Sequence, residues 1–365
     1  MEKFSAISYA RPDMRALAEE IKTRISDLRN AKSYEAARSA YLALENADVD
    51  ANTMRNVAHI RSTINTADPF YEEEVRYLQG EGARMMPLYR EVNQALLESP
   101  FRKEFETEFG AYLFHNLEEQ NRLLDPSIIE DKIQESEWVQ KYQKVTALCH
   151  TEFRGEDCNF YGLLRHMQST DRIRAGMARK LGMDSYITMA YLNKRRYNYG
   201  PEDVQRFRKQ VKDVIVPACE ELFERQRRRL GIDTLFYYDE ALVFPEGNEL
   251  PQGNREEMVS AAQVMYREMS PETGEFFDFM VEHELFDLET KPNKRMGGYC
   301  TFLPKYKAPF IFSNFNGTSA DADVLTHEAG HAFEAYTASR RQTLSAYIHS
   351  TSEINEIHSM SMEHF

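Results

Sequence analysis

With 365 residues, 42% of them hydrophobic, the chain has material for one large domain or two ordinary ones, each with a full core. Its net charge of -14 opposes binding to a nucleic acid backbone, whose affinity comes mostly from neutralised phosphates, so nucleic acid is excluded as a partner. The first residues lack the apolar stretch of a secretory signal, and no later run is long enough to span a bilayer, so the reading is a soluble, cytoplasmic protein without membrane contact.

From Pro12 to about Tyr197 the sequence is a succession of amphipathic helical patterns. The first carries Leu17, Ile21, Ile25 and Leu28 on one face and places Pro12 inside its first turn. Further helices are expected over Ser33 to Ala47, Asn52 to Asn65, Pro69 to Leu97 and Glu135 to Cys149. Asp48, Asp50 and Asn52 have the alternate spacing of a calcium loop. Thr53 stands where that loop needs glycine, however, and His59 where it needs the bidentate glutamate, so the loop is rejected. Cys149, Cys158, Cys219 and Cys300 are far apart and form no CxxC pair, which predicts free thiols.

After a helical stretch ending near Leu230, β-favouring residues dominate Thr234 to Asn248 and again Gly297 to Thr318, predicting a small sheet. In the second stretch Phe310 and Phe312 should face one side, with Ile311, Ser313 and Phe315 on the other. Asn316-Gly317 then supplies a turn. Thr318 and Asp321 have capping-box spacing, and Asp323 adds negative charge to the first turn of a helix expected from about Ala320 to Arg340.

That helix contains THEAGHAFEAY. The fourfold spacing puts His327 and His331 on one face, about 6 Å apart along the axis, where two neutral imidazoles can share one zinc ion. Glu328, offset by one residue, lies beside the metal position and can act as the base that takes a proton from water there. Catalytic zinc takes a third protein ligand, and the downstream segment SEINEIHSMSMEHF offers Glu353, Glu356, His358 and Glu363. Helical spacing alone does not choose among these acids.

Read together, GYCTFLPKYKAPFIFSNFNGTSADADVLTHEAGHAFEAY and NEIHSMSMEHF resemble the catalytic core of the thimet oligopeptidase and oligoendopeptidase F family of zinc metallopeptidases, especially its bacterial Pz-peptidase-like members. The resemblance implies Glu356 as the third zinc ligand. It implies a mostly α, two-lobed, zincin-type fold with a small β-sheet beside the HExxH helix, one Zn2+ ion, and short peptides as substrates. Residues 1–200 would form the helical N-terminal region and residues 201–365 the first part of the catalytic domain. Glu334 departs from the pattern, standing where the broader family often has histidine.

Family members continue well beyond the third ligand. The expectation is therefore a catalytic domain truncated after Phe365, with the His- and Tyr-bearing motif that stabilises the oxyanion lying outside it. The alternative to an active zinc endopeptidase is accordingly a catalytically dead or impaired zinc- and peptide-binding fragment. Gly298, Tyr299 and Cys300 are candidates for an edge strand that pairs with substrate backbone. His349 and His358 are candidates for orienting Glu356.

Overall fold

The structure is a computed structural model that describes residues 1–148, 151–153, 156–158, 163–251 and 253–365. It is mostly helical. The N-terminal half runs through α1 (Met14–Asn30), α2 (Tyr34–Ala47), α3 (Val49–Ile64), α4 (Pro69–Arg84), α5 (Met86–Leu97), α6 (Arg102–Phe109), α7 (Ala111–Asn121) and α8 (Ile129–Leu148). A short hairpin, β1 (Thr151–Phe153) and β2 (Glu156–Cys158), precedes α9 (Leu163–Lys180) and α10 (Tyr186–Asn193). Then come α11 (Pro201–Gln210), α12 (Val216–Leu230), α13 (Arg255–Met269), α14 (Pro271–Glu282), β3 (Phe286–Glu289), β4 (Tyr299–Leu303), β5 (Ala308–Phe315), α15 (Ala320–Arg341) and α16 (Ser352–Glu363). Among the described residues no helix is long and apolar enough to cross a membrane. Cys149 lies outside the described residues, and Cys219 and Cys300 are free thiols.

Several local expectations need correction. Pro12 stands before α1 rather than inside it, because the Asp13 carboxylate accepts the amides of Arg15 and Ala16 and so sets the helix start at Met14. The stretch from Pro69 to Leu97 is two helices that meet at Met85, since Pro87 lacks the N–H that a continuous helix would need there. Residues 234–248 form turns, not strands. Their backbone groups are met locally: Asp239 accepts from the Phe236 amide at 3.0 Å, Asn248 from the Val243 amide at 2.7 Å, and Gln226 donates to the Leu242 carbonyl at 2.7 Å. With side chains satisfying the chain, β propensity has no neighbouring strand to act through.

The sheet that does form has the order β3-β5-β4. Its central strand β5 pairs with β3 in parallel and with β4 antiparallel, with Tyr299 opposite Phe312 and Cys300 opposite Ile311. Both faces of β5 are covered: Phe310, Ile311 and Phe312 are all buried, so the alternation read from the sequence separates two apolar environments rather than core from solvent. Phe276, Phe277, Phe310 and Phe312 join Leu325 and Ala329 of α15 in one core. Each such aromatic contributes on the order of 2–3 kcal/mol by leaving water. A second core, built from α1, α2, α5, α6 and α7, centres on Leu96, Phe105 and Phe114.

The turn into α15 also differs from a capping box. Thr318 donates its hydroxyl to Asn316 Oδ1 at 2.7 Å, while the Asp321 carboxylate reaches back to the amides of Asn316 and Gly317 at 3.0 and 2.8 Å. Asp321 therefore secures the turn, in which Gly317 has the left-handed φ of 83° expected of that position.

Candidate metal centre

α15 presents His327 and His331 from successive turns, with ring centroids 4.9 Å apart and planes nearly perpendicular. α16 crosses this face so closely that Gly330 has no room for a side chain. A β-carbon there would lie 2.6 Å from Ser359 Cα and 2.8 Å from the His358 carbonyl oxygen. The close approach carries Glu356 Oε2 to 3.3 Å from His327 Nε2 and 3.7 Å from His331 Nε2. One ligand atom from each of the three residues lies within 4.8 Å of the other two. Two imidazoles and one carboxylate are a donor set suited to zinc with a position left for water.

The neighbouring acids are engaged elsewhere. Glu353 pairs with Arg196, and Glu363 bonds Nδ1 of His327, on the far side of the ring from Glu356. A carboxylate on that second nitrogen fixes the ring and its tautomer, leaving Nε2 free to donate its lone pair. Ser359 donates to Glu356 Oε2 at 3.0 Å. His349 instead faces Glu334 at 3.4 Å, and His358 lies on the side of α16 that lines a different cavity, beside Phe333 and Met362. The partner of Glu356 is thus a serine, not either histidine.

Glu328 is 8% exposed, and its Oε2 has no hydrogen-bond partner. Burial, the largest influence, pushes its pKa up to about 7; His327 opposes the rise and the Glu356 carboxylate adds to it. Burial likewise lowers the pKa of His331, favouring the neutral imidazole that binds metal. An unpaired, buried carboxyl beside a His, His, Glu cluster fits a cationic guest, since leaving such an atom unmet is costly.

Gly298 packs under Glu328: a β-carbon would meet Glu328 Oε1 at 3.2 Å and the Phe312 carbonyl at 3.4 Å. β4 is an edge strand, as its sheet order requires. Tyr299 stacks on Phe312 and shares a hydrogen bond with Thr63 of α3 at 2.7 Å, while desolvation raises the pKa of the partly buried Cys300 thiol. Gly298, Tyr299, Cys300 and the cluster of His327, His331 and Glu356 line one cavity of about 800 Å³, to which α3 adds Asn52 and Asn56.

Sequence reading missed Gly330, Ser359 and the α3 wall, and weighed Glu363 only as a possible ligand. Gly330 carried a signal, because a glycine inside a helix often marks close packing. Nothing in the sequence linked α3 to residues about 250 positions later.

The chain matches the family model described as Peptidase family M3 over residues 156–365, and that described as Peptidase M3 N-terminal domain over residues 4–124. A solved structure of a protein assigned as oligoendopeptidase F is 38% identical, with a TM-score of 0.93, covering 100% of this chain and 69% of that one. A structure of Pz peptidase A with an inhibitor is 37% identical, with a TM-score of 0.93, covering 99% of this chain and 69% of that one. A protein assigned as oligoendopeptidase F from Bacillus anthracis is 35% identical, with a TM-score of 0.94, covering 100% of this chain and 72% of that one. No curated protein matched.

Proposed function

Because the chain belongs to peptidase family M3, we propose that it is a zinc-dependent endopeptidase of short oligopeptides, with one zinc ion held by His327, His331 and Glu356. The observation that carries this reading is the convergence of the two Nε2 atoms and Glu356 Oε2 beside the buried, unpaired Glu328. When bound, zinc supplies Lewis acidity that activates water and polarises a peptide carbonyl.

Glu328 is the base. Burial raises its pKa, which suits it to accept a proton from the attacking water and to pass it to the departing amine. Glu363 keeps His327 oriented, and Ser359 steadies Glu356, so that neither ligand must be organised during turnover. The edge strand β4, with Gly298, Tyr299 and Cys300, receives substrate backbone by adding a strand, which binds peptides with little demand on their side chains. A walled cavity of about 800 Å³ suits extended peptides and not folded proteins. A cytoplasmic location, where short peptides arise from protein turnover, is part of the same proposal.

The test is Glu328→Gln. It should keep one zinc per chain and lose cleavage of a quenched fluorescent oligopeptide by about a hundred- to ten-thousandfold. Cleavage at the parent rate would overturn the assignment, and His331→Ala should abolish stoichiometric zinc.

A further inference from the structure

We propose that Arg55 is the carboxylate-recognising residue of the substrate cavity: it receives a carboxylate of the bound peptide. The inference rests on the peptidase reading and adds a determinant of which peptides are held.

Asn52, Arg55 and Asn56 sit three and four residues apart on one face of α3, and all three line both the 800 Å³ cavity and a neighbouring one of about 450 Å³. α3 is firmly seated. Val57, Ala58 and Ile60 are fully buried, and Asn56 donates to the Phe302 carbonyl of β4 at 2.6 Å. The backbone of Arg55 is therefore fixed where its side chain lines both spaces.

Charge singles it out further. Arg55 is the one Lys or Arg among the residues lining the larger cavity, whose acids include Glu45, Asp48 and Glu334. These acids are already partnered: Glu45 accepts from the Ser345 amide and hydroxyl, Glu334 faces His349, and Asp48 accepts from the Tyr89 hydroxyl at 3.3 Å. Arg55 is exposed to the cavity and has no ion pair or hydrogen bond among the described residues, acting on Asp48 only through space. A guanidinium so placed presents a planar fork matched to a carboxylate. In the smaller cavity Leu17, Val75, Leu78 and Met86 supply an apolar wall, and its other cation, Lys132, is 3.6 Å from Glu135.

A carboxylate can come from a peptide's free C-terminus or from an acidic side chain. Four peptides separate these sources: one core sequence with a free or an amidated end, each with or without an internal Glu. Arg55→Gln should raise KM for carboxylate-bearing peptides by about ten- to hundredfold, the range of a charged hydrogen bond. It should leave kcat within about threefold and the neutral amide unaffected, with Arg55→Lys recovering part of the loss. Dependence on the free end, or on the internal Glu, supports the proposal and identifies the source. Equal losses on all four peptides, or none, overturn it.

The same ratio is read as binding, by fluorescence anisotropy of labelled peptides on the Glu328→Gln protein. Carboxylate-dependent binding without turnover in the parent would sink the peptidase reading and leave Arg55 in place. Turnover indifferent to Arg55 would do the reverse.

Discussion

Residues 201–250 and residues 286–363 carry aromatic residues at much the same density, that of the chain as a whole, yet they are opposites in the folded chain. α11 buries no residue at all, and α12 buries only Gln226, leaving Phe207, Val216, Leu222 and Phe223 exposed. α15 buries residues along its whole length, Leu325, Ala329, Ala332 and Ala335 among them, between the sheet and α16. Amphipathicity therefore states that a face can be buried, and only a facing element makes it so. The cluster of His327, His331 and Glu356 sits where α15 and α16 face each other, although the outer side of α16 leaves Ile354, Ile357 and Met360 exposed.

If that contrast is correct, changes in the second region should be costly and changes in the first nearly silent. The largest effect is expected at Lys294, whose side chain is fully buried and donates to the Asp287 carboxylate and to the carbonyls of Glu289 and Ser313, joining β3 to β5. Lys294→Met strands those acceptors and should cost about 3–5 kcal/mol in urea unfolding. Gly330→Ala comes next, because its new methyl must push α16 from α15. We expect about 1–3 kcal/mol of destabilisation and at least tenfold weaker zinc binding by titration. Unchanged zinc affinity would break the link between helix contact and ligand placement.

His59, half-buried on α3 against Tyr299, sharpens the comparison through pH. Burial, aided by Arg295 and Arg55, lowers its pKa from 6.5 to about 4. The folded state then resists protonation while the unfolded state accepts it. The stability is fully present above pH 6.5 and is lost as pH falls towards 4, by about 2 kcal/mol between pH 6.5 and 5. His59→Phe should flatten that part of the urea-midpoint profile. The smallest effect belongs to the first region: Phe207→Ser, at a side chain 64% exposed, should shift stability by less than about 0.5 kcal/mol. A loss of several kcal/mol there would show that α11 is packed after all.

Much of the fold, and the grouping of the candidate ligands His327 and His331 on one helical face, was legible in advance. The helix bearing His327, Glu328 and His331 was expected over Ala320 to Arg340 and runs to Arg341, and the second apolar stretch became β4 and β5. β3 went unread because Phe286–Glu289 is only four residues long, too short for a pattern to stand out. Thr234 to Asn248 was misread as sheet because strand propensity measures fit to a neighbour that this segment does not have.

By itself the sequence determined that two histidines share a helical face with a glutamate beside them, since a period of 3.6 residues leaves no other arrangement. Helical spacing left the third position open among several acids, and family likeness favoured Glu356. The tertiary structure placed Glu356 at the two imidazoles, engaged Glu353 with Arg196 and set Glu363 behind His327, because the contact at Gly330 sets how α16 crosses α15. It alone also brought α3 against β4 beside the cavity, a contact between residues too far apart in the chain for any local pattern to announce.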